Sequence, residues 1–316
     1  MKKLLFIIAT ILFNVCYGQI DSTKTINLIS YISKGETLNY SVLKTSIDSS
    51  STKESKTTKN SFNFKITVKD STDSNYIISY YRTLDVFATP QLGNLEENIQ
   101  QKLIELSTIK FDYETNELGA FKRIIDEDEL SEKISYDFEG LLNILSAETN
   151  DEKTLEFMKG FIGSIDPKSL ITTYAQDIHA LHHALGASLN LRDTIEFEEE
   201  IFAPVLNAPI TMIGIFYCDE YDQENDFISI IQEKTIEGDF MKKMLEFVKK
   251  HNNTEESINE EEFINTPINI YFHNTYQYNS VYGVATYVEI YREITVDRKD
   301  EIMKKIDIYE ISLIEE

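Results

Sequence analysis

The chain has 316 residues, with 54 acidic against 30 basic side chains and a formal net charge of −24. A surface this negative repels nucleic acids and anionic membrane faces at long range, so the sequence argues against nucleic-acid binding. At this length a folded chain buries about three-quarters of its unfolded surface, so no disulfide scaffold is needed.

Lys2 and Lys3 precede an apolar run from Leu4 to Phe13, and Cys16-Tyr17-Gly18 sets small residues three positions and one position before Gln19. This is the layout of a secretory signal peptide, and the run falls short of the roughly 20 apolar residues that span a bilayer. The expectation is export to the periplasm or the cell exterior, with cleavage after Gly18. Residues 19–316 would then form a single α+β domain with no transmembrane segment. Two lysines and no acid leave with the leader, taking the charge to −26. Lipidation at Cys16 is the alternative, although Asn14 and Val15 fit a lipoprotein signal poorly. Cys218 is then the only cysteine, and Ile215-Phe216-Tyr217 before it place it in a strand as a small core residue.

Leu38, Tyr40 and Val42 alternate with polar residues and predict a strand over 36–44. The tract 46–60 is almost free of apolar residues and reads as a long polar hairpin loop. Phe62, Phe64, Ile66 and Val68 keep strict period two, and a turn at 69–74 leads to a second strand over 76–84. Leu95, Ile99, Leu103 and Leu106 predict a helix over 94–107. Ile109–Tyr113 and Ala120–Ile125 flank a tight turn in which Gly119 supplies a positive φ. The acidic stretch 126–133 starts a helix, and helices are also predicted over 153–162 and from Pro167 to about Leu185. Asp166 caps the latter and Gly186 ends it, giving a helical insertion at about 150–186.

Strands resume at 194–202, where Glu199 interrupts an apolar face, and at 210–217, apolar on both faces and so expected in the sheet centre. Residues 227–231 are similar. A helix follows at 239–250, then three long strands at 268–278, 283–296 and 301–314 with short connections that favour antiparallel pairing. About twelve strands with helices set between groups of them predict an α+β fold: a large curved antiparallel β-sheet packed against several inserted helices.

Among candidate sites, His179 and His183 stand at i and i+4 on one helix face and are the candidate metal ligands; a zincin helix would need Glu where Ala180 stands. The bland alternative is a pair of exposed histidines with His182 at the rim of the apolar stripe. Glu196, Glu198, Glu199 and Glu200 read as the wet face of a strand. No phosphate loop, dinucleotide fingerprint or nucleophile elbow is present, so no cofactor and no catalytic residue is assigned. Tyr271, Tyr276, Tyr278, Tyr287 and Tyr291 crowd the last strands and are the candidate lining of an apolar groove.

Phe111-Asp112-Tyr113-Glu114-Thr115-Asn116-Glu117-Leu118-Gly119-Ala120-Phe121 is one motif, and His182-His183-Ala184-Leu185-Gly186 with Asn207-Ala208-Pro209-Ile210 is another. With the leader ending in Tyr-Gly-Gln, they make the chain resemble an uncharacterised exported protein family of Bacteroidota-type bacteria. That resemblance implies no activity and no catalytic residues. The order of elements also resembles the periplasmic lipoprotein-carrier architecture, a curved antiparallel sheet cupped around helices. The expected partner is an apolar small molecule such as a lipid, held in the concave sheet. The alternatives are an interaction or structural protein that binds an envelope protein, and a metal-dependent hydrolase using His179 and His183.

Overall fold

The structure is a computed structural model that describes residues 25–83, 101, 108–148, 167–203, 208–236, 240–251, 266–298 and 301–314. The leader, nearly all of the helix expected at 94–107 and the helix expected at 153–162 lie outside these residues. Eleven strands form one antiparallel sheet. In chain order they are β2 (Thr37–Ser50), β3 (Lys53–Ser71), β4 (Asn75–Thr83), β5 (Thr108–Asn116), β6 (Phe121–Ile124), β8 (Thr194–Ala203), β9 (Ala208–Asp222), β10 (Phe227–Ile236), β11 (Ile268–Asn279), β12 (Val284–Arg298) and β13 (Glu301–Leu313). Their order across the sheet is β6-β5-β4-β3-β2-β13-β12-β11-β10-β9-β8. Its first and last strands in sequence order meet in its middle, where β13 pairs with β2. A second sheet joins β1 (Thr25–Asn27) to β7 (Ser188–Asn190). Three helices complete the described fold: α1 (Glu127–Glu148), α2 (Pro167–His182) and α3 (Phe240–His251).

Side-chain alternation sets two faces on the large sheet. The inner face carries Tyr40, Val42, Phe62, Phe64, Tyr80, Tyr113, Ile228, Ile230, Tyr278, Val288 and Ile311, all buried in one core cluster with α2. Tyr40, Phe64, Tyr80 and Phe111 stack in sequence across β2 to β5, with ring centroids 5.2, 5.3 and 4.9 Å apart. Such cross-strand aromatic pairs hold register as well as burying area.

The sheet curls around α2. His182 meets Tyr113 of β5, while its neighbour His183 meets Tyr276 of β11. Those strands are six ladder steps apart, about 29 Å in a flat sheet, and two adjacent side chains cannot bridge that span. The helix confirms the curl. Ile171, Ala175, Asp177, Ile178, Ala180, Leu181 and His182 are all buried, an arc of about 220° where a helix lying on a flat sheet buries a stripe nearer 100°.

Three local expectations change. The tract 46–60 is two strands with a tight turn, not a loop. The backbones of β2 and β3 pair through it, and β2 also pairs with Met303–Ile308. Ladder hydrogen bonds use backbone atoms, so polar side chains do not prevent them. Residues 210–217 belong to β9, the strand next to the β8 edge rather than a central one, and Ile213 is exposed there. Cys218 is half-buried at the margin of the core, and burial raises its thiol to about 11. Glycine placement follows the sequence: Gly119, Gly186 and Gly283 all have positive φ. A Cβ at Gly283 would collide with the Ile29 backbone.

Candidate functional site

The inner face changes character along its strands. Near α2 it is apolar. Farther along β2, β3, β12 and β13 it presents Lys44, Ser46, Thr58, Asn60, Arg292 and Asp307. At the border between the two halves lies a buried charged cluster. Asp177 projects from α2 and is 1% exposed. Its carboxylate accepts hydrogen bonds from Tyr80 Oη at 2.6 Å and from Tyr309 Oη. Arg82 Nη1 stands 3.8 Å away. Burial raises the Asp177 pKa, opposed by the Tyr80 hydrogen bond and by the charges of Arg82 and Lys44.

The two cations of this cluster rest on rings. Arg82 lies 3.3 Å over Phe62. Lys44 Nζ is 4.5 Å from the Tyr309 ring and 5.4 Å from Phe62. Burial lowers the Lys44 pKa; Asp177 acts against that and Arg82 with it. Cation–π contacts are worth roughly 0.5–2 kcal/mol each. Among the described residues, Arg82 Nε and Asn274 Oδ1 are buried side-chain atoms without a hydrogen-bond partner.

Beside this cluster is a cavity of about 430 Å³. Phe272, Ile290 and Tyr309 give it apolar walls, Lys44 and Arg292 bring positive charge, and Gln176 of α2 closes one side. Arg292 pairs with Asp307 across β12 and β13. A second hollow of about 390 Å³ continues along the same face past Ile294 and Met303. A third, about 660 Å³, lies around β8 to β11, where Glu196, Glu198 and Glu233 surround Ile213, Ile215 and Tyr271.

The predicted histidines divide among different partners. His179 sets its ring edge-on to Phe121, with centroids 4.4 Å apart. His183 stacks on Tyr276 at 4.6 Å and meets Phe216 edge-on. Both rings keep an exposed side, as the plain reading of the helix has it; on its covered side the packing of His183, with Lys234 nearby, lowers its pKa. Among the described residues, no group of three or more His, Cys, Asp or Glu is placed to hold a metal ion.

His182 is not at a rim but buried at 6% exposure. The wrapped sheet covers helix positions that a flat one would leave at the edge. Its Nδ1 lies 2.7 Å from the Gly119 carbonyl, which only accepts, so Nδ1 carries the proton. Burial lowers its pKa to about 4, so the ring is neutral at pH 7, and Nε2 accepts from Tyr113 Oη at 2.9 Å.

The five predicted tyrosines split between faces. Tyr276 and Tyr278 are buried on the inner face. Tyr276 Oη donates to Gln232 Oε1 at 3.3 Å, and Tyr278 Oη accepts from the Ala184 amide at 3.3 Å. Tyr271, Tyr287 and Tyr291 have the opposite parity and lie half-buried on the outer face. There Tyr287 donates to Glu289 and Tyr291 to Glu293. Glu199, the interruption in the β8 pattern, faces inward and pairs with Lys234 at 2.8 Å. Sequence reasoning missed Lys44, Arg82 and Asp177. The one local signal was a charged residue at an inward position of a strand or helix, as at Arg82 two residues after Tyr80.

No protein-family model matches the chain. No curated protein matches it either. Among solved structures, the chain is similar to one described as lipid–protein interactions in lipovitellin, at 10% identity and a TM-score of 0.40. That match covers 90% of this chain and 26% of the other, so this chain spans about a quarter of the lipovitellin chain. It is also similar to Ail, the attachment invasion locus protein of Yersinia pestis, at 6% identity and a TM-score of 0.14. That match covers 89% of this chain and 100% of the other. Neither likeness is close enough to carry an argument. Among the described residues, no helix is long and apolar enough to cross a membrane.

Proposed function

We propose that this chain is an exported binding protein that holds an apolar small molecule, such as a lipid, against the inner face of its curled sheet. The observation that carries the reading is the 430 Å³ cavity beside α2, walled by Phe272, Ile290 and Tyr309. Its size falls within the roughly 300–1,000 Å³ of small-molecule pockets, and apolar walls with a few placed polar groups are the usual composition of such sites. Export rests on the charged and apolar pattern of residues 2–18, and the exported Bacteroidota-type family rests on the two short motifs.

The test is native mass spectrometry of the protein expressed from its full reading frame in a bacterial host and recovered from the periplasm. A discrete adduct of lipid mass that organic extraction removes is the expected result. An unliganded mass that stays unchanged after incubation with a total bacterial lipid extract rules the reading out. One observation favours a second reading, an interaction protein of the envelope. Among the described residues β8 is a sheet edge of ten residues whose Glu196, Glu198 and Glu200 face away from the core, and open edges accept further strands. A stoichiometric protein partner in the same spectrum, with no lipid, would favour it.

A further inference from the structure

The cluster behind the cavity is unbalanced. Among the described residues, Lys44, Arg82 and Asp177 place two cations against one carboxylate between α2 and the sheet. Asp177 is already the acceptor of two tyrosine hydroxyls. Among the described residues no carboxylate forms an ion pair with Lys44, whose ammonium has ring faces as its neighbours. Arg82 Nε is buried and unbonded. The Arg82 side chain is only 11% exposed and Lys44 is partly covered, and cations withdrawn from water normally have an anionic or hydrogen-bonding partner, because leaving water without one is costly. The cations also run against the composition. The chain has 54 acids to 30 bases, yet among the described residues Lys44 and Arg292 face this cavity against Asp307 alone.

Lys44 and Tyr309 form the cavity wall nearest the cluster, and Phe272 and Ile290 form apolar wall elsewhere. We propose that the ligand is a single-chain amphiphile with an anionic head of the carboxylate kind, its head on Lys44 and its chain along Phe272 and Ile290. This rests on the binding reading above and adds the class of ligand. The head group supplies the missing counter-charge. Arg292, already held by Asp307, shapes the mouth rather than carrying the anion.

The test titrates the delipidated protein with tetradecanoate, with tetradecanol and with acetate, and follows each by calorimetry. Tetradecanoate is expected to bind about tenfold or more tightly than tetradecanol, since a charge-assisted contact is made by one and not the other. Acetate, which has the head without the chain, is expected not to saturate. Lys44→Gln is expected to bring the two long-chain ligands to equal affinity, and Lys44→Arg to keep the preference. Equal binding of acid and alcohol by the wild type overturns the head-group inference and leaves the apolar-ligand reading standing. Binding of neither overturns both. Acetate binding as tightly as tetradecanoate also overturns the inference, because the site would then be an anion site without a chain subsite. Loss of the preference in Lys44→Arg as well as Lys44→Gln overturns it too, by placing the effect in packing rather than charge. The wild-type comparison stands even if a variant fails to fold.

Discussion

The two halves of the inner sheet face have the same backbone geometry and opposite chemistry. On β2, Tyr40 and Val42 are buried against α2, while Lys44 and Ser46, two and four residues on, are only partly covered. On β3, Phe62, Phe64, Ile66 and Val68 are buried, while the inward positions Asn60 and Thr58 are exposed. The ladder keeps one register from Thr37 to Asp48, through both, and shifts only between Asp48 and Ser50. Pairing therefore does not need an apolar face; it needs neighbours on both sides, and β13 and β3 supply them for β2. What the apolar half adds is a helix held inside the curl. What the polar half keeps is room.

The sharpest way to break this contrast is at the border. Asp177→Ala removes the acceptor of two tyrosine hydroxyls and the carboxylate nearest Arg82. Removing one partner of a buried charged pair typically costs about 3–5 kcal/mol, and that loss is expected in urea denaturation. A loss under about 1 kcal/mol would mean that the cluster is wetter than its burial implies. Asp177→Asn keeps the shape and one acceptor oxygen, and is expected to cost less.

Acid separates the halves by a second route. His182 belongs to the covered half, and burial holds its pKa at about 4 against about 6.5 in an unfolded chain. Between those values the unfolded chain takes up a proton that the folded chain does not. Stability from this group is therefore complete above about pH 6.5, falls as the pH drops through that window, and levels off below about pH 4. The full loss is about 3 kcal/mol. Asp177 works in the opposite sense. Its raised pKa means that the folded state takes up a proton before the unfolded state does, so lowering the pH restores some stability. The His182 contribution is isolated by comparing wild type with His182→Gln in urea at pH 7 and pH 4. The wild type is expected to lose about 2–3 kcal/mol more than the variant over that range, and equal losses would count against a neutral buried ring.

The covered half was largely legible in the sequence and the border was not. Phe62, Phe64, Ile66 and Val68 announced their strand because period two and burial coincide there. The last three strands were legible because short turns force antiparallel neighbours. The continuation of β2 and β3 through 46–60 was hidden, because side-chain pattern reports which face is dry and the ladder is made by backbone. β1 and β7 are three residues each, too short to show a period. His182 was misplaced because the wheel assumed an ordinary stripe, whereas the curled sheet buries about twice that arc. The Asp177 cluster draws on residues 97 and 132 positions away. No spacing rule reaches that far, so the partners of a lone buried charge appear only in the folded chain.

The smallest expected effect tests the contrast most directly, by exchanging one hydroxyl for one methyl in both directions. Val42 faces inward on the covered half at 1% exposure, and Thr58 faces inward on the open half, exposed and opposite Ser46. Valine and threonine have nearly the same shape and the same strand preference, so the swap isolates solvation. Val42→Thr buries a hydroxyl in a dry face and is expected to cost about 1–3 kcal/mol. Thr58→Val gives up a hydroxyl at a wet position and is expected to stay within about 0.5 kcal/mol of wild type in urea denaturation. A cost above about 1 kcal/mol for Thr58→Val would show that the hydroxyl has a buried partner and that the second half is closed over. A neutral result together with tighter binding of tetradecanoate would place the alkyl chain along Thr58, extending the apolar wall of the cavity in the direction the open strands run.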